Sequence, residues 1–318
     1  MIAHYLAPLA REFKGAFELA DDTAVIRSES GLDVVATVDT LVAGVHFLNS
    51  DPPTSIGKKL MRVNLSDLAA MGAKPHLYLL SLALSADTDE AWVADFATGL
   101  AEDQEAFGIR LAGGDTVLTP GPTTLTLTAL GQVAAGKALL RSGAEVGDAI
   151  YVTGTIGDGA LGLSVLNGGC ASLSKHAREH LIARYRLPEP RVSFGGDLIG
   201  LAHAAIDISD GLVADLGHLA EQSGRSASVD AACIPLSEAA ETACAGDSDL
   251  LTAILTGGDD YELLFTGDAA KEAEILSRAK RCNLRVTRIG RIGEGEGVHI
   301  LDKEGTPVSL DEQGYRHF

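Results

Sequence analysis

Residues 54–71 read TSIGKKLMRVNLSDLAAM, and their reading together with their flanks decides the fold. Ile56, Leu60, Val63, Leu68 and Met71 recur at helical spacing, and Gly72 stops the run. Upstream, Asp33–Asp39 (DVVATVD) is rich in β-branched residues and reads as a strand. Downstream, His76–Ser85 reads as a second strand. The pattern continues with a helix over Asp89–Phe107, preceded by Asp87-x-x-Glu90 as a capping box. A strand over Ile109–Ala112 then runs into Gly113-Gly114-Asp115. Thr123–Val133 alternates Thr with apolar residues, as a sheet with one covered face does. A short amphipathic helix is expected over residues 2–14.

A second block opens with strand Ala149–Thr153 and a glycine-rich turn leading into a helix. Helices over 174–186, 194–203 and 211–223 follow, with strand Ala205–Ile208 between the last two. Tyr261–Thr266, Arg285–Ile289 and Val298–Leu301 supply further strands. The expected class is mixed α/β in two domains, 1–142 and 143–318, divided in the polar stretch Ser142–Asp148. The triplet GGD occurs at 113–115 and again at 257–259, too short a match for an internal repeat.

The charge balance narrows the partners. Across 318 residues there are 44 acidic and 25 basic side chains, a net charge of −19, which argues against a nucleic-acid binder or an anionic-membrane binder. Hydrophobic residues make up 46% and charged residues 22%, the balance of a folded chain. The four cysteines, Cys170, Cys233, Cys244 and Cys282, form no CxxC pair and read as reduced thiols. The N-terminal stretch lacks the pattern of a signal peptide, and no apolar run reaches the length of a spanning helix, so a cytoplasmic protein is expected.

The chemistry lies in the aspartates. Asp22, Asp39, Asp67, Asp115, Asp207 and Asp210 fall at expected strand ends, turns or an apolar helix face, without Lys or Arg beside them. Gathered together they would repel, and Mg²⁺, which takes carboxylate oxygens and shares its other positions with water and phosphate, would relieve that. Any one of them is also an ordinary cap or turn residue. Three other patterns carry less. His176-x-x-Glu179-His180 has zinc-protease spacing but lies in a strongly charged helix. Gly154-x-x-Gly157-x-Gly159 is only a loose dinucleotide fingerprint. Ser209 lacks the flanks of a hydrolase nucleophile.

The motifs Asp21-Asp22, Val38-Asp39-Thr40-Leu-Val-Ala-Gly-Val-His46, Asn64-Leu-Ser-Asp67, Gly113-Gly114-Asp115-Thr116, Arg141-Ser-Gly-Ala, Asp207-Ile-Ser-Asp210-Gly and Gly257-Gly-Asp-Asp-Tyr-Glu262 resemble the thiamine-monophosphate kinase family. The tail from Gly314 to Phe318 fits as well. The wider superfamily includes aminoimidazole ribonucleotide synthetase. The resemblance implies that superfamily's two-domain fold and a homodimer whose N-terminal sheets join as a barrel. Strands Thr123–Val133 and His76–Ser85 are the ones expected to cover apolar faces there. It also implies transfer of the ATP γ-phosphoryl group to thiamine monophosphate. Asp22, Thr37, Asp39, Asp67, Asp115, Asp207 and Asp210 match the family's Mg²⁺ positions, several ions being involved. Gly114, Asp115, Arg141 and Ser209 match nucleotide positions, and His46, Glu262 and Tyr315 match thiamine positions. Ala20 stands where the family has Gly, and Val38 where it has a hydroxyl residue, so position 38 offers a metal only its carbonyl. No general base is expected, because the acceptor phosphate is already ionised near neutral pH. Other readings are a selenophosphate synthetase-like enzyme and an inactive nucleotide-binding regulator.

Overall fold

The computed structural model describes residues 21, 24–27, 31–246, 250–302, 304–307 and 314. The helix expected over 2–14, and the site residues Asp22 and Tyr315, lie outside the described residues.

A first sheet holds β1 (Ala24–Arg27), β2 (Leu32–Val42), β3 (Lys74–Ser85), β4 (Arg110–Thr119) and β5 (Thr124–Ala134) in the order β1-β2-β5-β3-β4. Only β3 and β4 run parallel. Helices α1 (Pro53–Ala70) and α2 (Glu90–Phe107) belong to this half. The second sheet holds β6 (Ala149–Thr153), β7 (Ala202–Asp207), β8 (Ser226–Asp230), β9 (Leu263–Gly267), β10 (Val286–Gly293) and β11 (Gly297–Leu301), ordered β11-β8-β10-β6-β9-β7. Around it lie α3 (Asp158–Leu166), α4 (Lys175–Arg186), α5 (Val192–Asp197), α6 (Leu212–Ser223), α7 (Glu238–Gly246), α8 (Leu250–Thr256) and α9 (Glu272–Arg281). Both sheets are mixed and open, as the expected α/β class requires.

The helix read first in the sequence is the wedge between the two halves. Pro53 opens α1 and Gly72, at φ +67°, follows its end, the usual asymmetry of Pro at the start and Gly past the finish. Leu60, Met61, Val63, Leu65, Ser66 and Ala69 are buried around nearly its whole circumference, as in a helix enclosed on all sides. It touches β2 and β5 of one sheet and β7 and β9 of the other. Ala69 and Ala70 reach the aromatic cluster of Tyr151, Phe194 and Phe265, whose stacked Tyr151–Phe265 pair has centroids 5.2 Å apart.

Local expectations are corrected where tertiary pairing overrides them. The cap of α2 is Asp89, which accepts the Trp92 amide at 2.8 Å, and not Asp87; Thr88 is held in the preceding turn by Ser85 and Thr123. The helix expected over 194–203 stops at Asp197, and strand β7 begins at Ala202 after Gly200 adopts φ +80°. The strand expected from Tyr261 starts at Leu263, because Tyr261 is left-handed at φ +52°. Strand β5 buries Leu125, Leu127, Ala129 and Val133 within its own chain. Its apolar face is therefore not free for a second copy. The uncovered face carries Val38, Leu79 and Val117, each more than two-fifths exposed.

Candidate active site

The register of β2 places Thr37 and Asp39 on the helix-covered face. Asp39 pairs with Leu127, which is fully buried on that side. From α1, Asp67 comes to meet them, and the Thr37 hydroxyl donates to its carboxylate. Asp207 ends β7, and Asp210 lies in the turn before α6. Burial holds the Asp39, Asp67 and Asp207 carboxyls above the ordinary carboxylate range. Repulsion from Asp207 adds to the rise at Asp39, and Asp39 and Asp207 do the same at Asp67. At Asp207 the Ser66 hydroxyl and Arg141 pull the other way. One Asp207 oxygen, Oδ2, is buried with no hydrogen-bond partner. Repelling carboxylates, a hydroxyl and an unpartnered oxygen form the donor set that suits a hard divalent cation. Among the described residues no three His, Cys, Asp or Glu side chains form a closed ligand set.

Two turns complete the site. Asp215 Oδ2 accepts the amides of Ser209 and Asp210 at 3.0 Å each and so fixes the turn that carries them. Against it lies the Gly257–Glu262 segment, with the Asp259 amide on the Ser209 carbonyl at 2.9 Å and the Tyr261 amide on the Ile208 carbonyl at 2.8 Å. Asp259 and Tyr261 both adopt left-handed backbone, at φ +70° and +52°, a strain that persists only where the surroundings enforce it. A side chain at position 258 would run into the Ser209 carbonyl, so glycine is required for this approach.

Between these parts opens a cleft of about 680 Å³, lined by Asp39, His46, Ser209, Asp210, Asp259 and Tyr261 among others. His46 Nδ1 accepts the Val42 amide at 3.1 Å. Its proton in the neutral ring therefore sits on Nε2. Arg141 acts electrostatically on Asp21, Asp207 and Asp215, and its amide donates to Asp21 at 2.7 Å.

Not every residue singled out in the sequence joins this group. Asp39 does join it, but from the interior of β2 and not from a strand end, because pairing with β5 continues to Val42. Asp115 is likewise mid-strand in β4, since parallel pairing with β3 extends through Thr119. It shares the Ser81–Thr126 row on the open face, and two strands separate it from β2, about 14 Å at the usual inter-strand spacing. Gly114 sits against the Leu80 carbonyl, where no side chain fits. Glu262 is fully buried and bonded to Arg184, Arg191 and Thr153. Gly157 and Gly159 donate their amides to the Asp260 carboxylate, so that glycine turn is already occupied by an internal acid. His176, Glu179 and His180 are all exposed on α4. Asp259 and Tyr261 stand in the Gly257–Glu262 motif without a site role expected for them, and Asp215 lies outside every motif quoted; the second GGD triplet is the signal that marks Asp259.

Comparison with known proteins identifies the family of the chain. Residues 20–133 match the model of AIR synthase related protein, N-terminal domain, and residues 145–303 that of its C-terminal domain. Thiamine-monophosphate kinase of Caulobacter vibrioides is 41% identical over 319 residues, spanning 99% of this chain and 89% of that protein. The chain belongs to the thiamine-monophosphate kinase family. Within this kinase family, the solved enzyme of Stenotrophomonas maltophilia K279a is 40% identical at a TM-score of 0.81, covering 96% of this chain and 98% of that one. AaThiL complexed with AMPPCP and TMP is 31% identical at a TM-score of 0.84, covering 98% and 95%. Among the described residues no helix is long and apolar enough to cross a membrane.

Proposed function

We propose that this chain transfers the γ-phosphoryl group of ATP to thiamine monophosphate, giving thiamine diphosphate and ADP. The observation that carries the reading is the cleft itself, where the Asp39 and Asp210 carboxylates share one space with His46 and Asp259. Membership of the kinase family, and a close fold relative solved with AMPPCP and TMP, support it.

Asp39, Asp67, Asp207 and Asp210 would hold Mg²⁺, with Thr37 orienting Asp67 through its hydroxyl. Bound Mg²⁺ neutralises phosphate charge, which a protein of net charge −19 cannot do alone. Arg141, beside Asp207, is the cation that faces the ATP phosphates, and Ser209 stands in the turn fixed by Asp215. Gly114 and Asp115, on the open face, are the nucleotide positions farthest from that group and would serve it from the sheet edge. His46 offers an Nε2–H donor to the acceptor phosphate, and Asp259 supplies the acidic wall toward the thiazolium cation. The family assignment gives that wall to Glu262, but its enclosure favours Asp259. The uncovered face with Val38, Leu79 and Val117 is the surface on which two copies would pair.

Incubation with ATP, Mg²⁺ and thiamine monophosphate, with thiamine diphosphate and ADP quantified together, tests the reading. Equal amounts of both products are expected. ATP hydrolysis without thiamine diphosphate would overturn it.

A further inference from the structure

Lys59 lies on α1, its side chain 3% exposed, so its ammonium must be matched from within. Three partners meet it. Nζ donates to the His46 carbonyl at 3.1 Å, pairs with Asp259 Oδ1 at 3.2 Å, and sits 3.7 Å above the centre of the Tyr185 ring. These partners come from different parts of the chain. His46 belongs to the loop after β2, Asp259 to the strained turn on the Ser209 carbonyl, and Tyr185 to α4.

From these contacts we propose that Lys59 is a positioning residue that holds the His46 loop and the Asp259 turn at the separation thiamine monophosphate requires. The inference rests on the functional reading above and adds a residue to it.

His46 and Asp259 line the same cleft from opposite halves of the molecule. The His46 loop has its own anchors: Asp51 accepts the Leu48 amide at 2.8 Å and Arg186 Nε at 2.6 Å. The Asp259 turn has its own as well, through the Ser209 carbonyl. Lys59 joins the two. A compact ammonium with three donors can serve a carbonyl, a carboxylate and an aromatic face at once, whereas a planar guanidinium cannot point in those three directions. The Tyr185 hydroxyl, 3.4 Å from the same His46 carbonyl, closes the clamp from α4. Both contacts act on the His46 backbone, while the Val42 amide sets its ring. Displacing Lys59 therefore moves the imidazole relative to Asp259 without touching the carboxylates of the metal group.

The test compares Lys59→Met, Lys59→Arg and, as a control, Lys58→Met, whose half-buried side chain pairs with Glu102, in steady-state kinetics and in ¹⁵N-histidine spectra of the ligand-free protein. Lys59→Met is expected to raise KM for thiamine monophosphate about tenfold or more with KM for ATP within about twofold, and Lys59→Arg to recover part of the loss. The His46 imidazole resonance, assigned with His46→Asn, should shift in Lys59→Met and stay in place in Lys58→Met. A folded Lys59→Met protein with both KM values raised alike, with neither raised, or with an unmoved His46 signal overturns the proposal. If Lys59→Met does not fold, Tyr185→Phe replaces it: a smaller rise confined to the thiamine monophosphate KM with a shifted His46 signal supports the clamp, and no change overturns it. A wild-type protein that forms no thiamine diphosphate defeats the functional reading by itself, and the histidine spectra still decide whether Lys59 positions the loop.

Discussion

Arg191 grips Glu262 with two parallel bonds, Nε to Oε2 at 2.7 Å and Nη2 to Oε1 at 2.5 Å. Arg184 adds a third at 2.9 Å and the Thr153 hydroxyl a fourth at 2.6 Å. The carboxylate is sealed from solvent, and the backbone of Gly154 passes so close that no side chain fits there. Four donors occupy its two oxygens, which leaves it committed to joining β6, α4 and the segment before α5.

Glu262→Gln should therefore act on stability first. Removing the buried carboxylate leaves Arg184 and Arg191 only the exposed Glu189 as counter-charge, at a cost of about 3 kcal/mol, the low end for a broken buried pair. Urea unfolding measures it. The folded fraction should keep its KM for thiamine monophosphate. A variant as stable as wild type with that KM raised would return Glu262 to the substrate.

Asp39→Asn should abolish Mg²⁺-dependent turnover, by about a hundredfold or more, while metal-free stability does not fall. Burial and the charges of Asp207 and Asp210 already disfavour ionised Asp39, so a neutral amide relieves repulsion. Thermal melts without metal and with Mg²⁺ separate the two effects. A large loss of metal-free melting temperature with activity retained would contradict the assignment.

These two carboxylates also show how far the sequence can be read. The strand–helix–strand frame was legible because Ile56, Leu60, Val63 and Leu68 keep a helical period, and Asp67 stood out against that apolar background. The meeting of Asp67 with Asp39 and Asp207 rests on α1 wedging between the sheets, which the period implies only loosely. Glu262 was legible as a charge, but not its enclosure. Its partners Arg184 and Arg191 come from 78 and 71 residues away along the chain. The interior position of Asp115 in β4 escaped for a similar reason. Strand length there is set by pairing with β3, not by local propensity.

Stability should depend on pH through Asp260. Burial pushes its carboxyl from 3.8 up to about 8, against the pull of the Gly157 and Gly159 amides. The folded state therefore binds a proton that the unfolded chain releases near pH 4. The resulting stabilisation is full below that value and is lost as pH rises through about 8. Asp260→Asn keeps a neutral acceptor for Gly157 and removes the titration. Between pH 5 and about 8.5 the wild-type melting temperature should fall relative to that of the variant. Parallel curves would show that Asp260 is ionised in the fold.

Pairing of two copies through the uncovered sheet face predicts a dimer in sedimentation at micromolar concentration. Val38, Leu79 and Val117 would lie in that interface, so Leu79→Asp should yield a folded monomer. The row Val38–Thr128–Leu79–Gly113 runs straight across four strands, and a charge at Leu79 inside it would be buried without a partner. An unchanged sedimentation coefficient for Leu79→Asp would move the interface elsewhere.

Because Nδ1 of His46 is taken by the Val42 amide at 3.1 Å, the neutral ring presents Nε2–H and has no lone pair left for a hydroxyl proton. A phosphate monoester loses its second proton near pH ~6, so above neutrality the attacking oxygen of thiamine monophosphate is already anionic. A base is then unnecessary, and a donor at His46 helps by steadying that anion. The rate should rise along an acidic limb set by substrate and carboxylate ionisation, then stay level towards pH ~8.5, below the range of ordinary Lys and Tyr titration. His46→Asn, whose amide also donates, should lower the rate while leaving the limb in place. Profiles at saturating Mg²⁺ and ATP decide it. An acidic limb that disappears in His46→Asn while a reduced rate persists would make the imidazole a base and require the opposite tautomer.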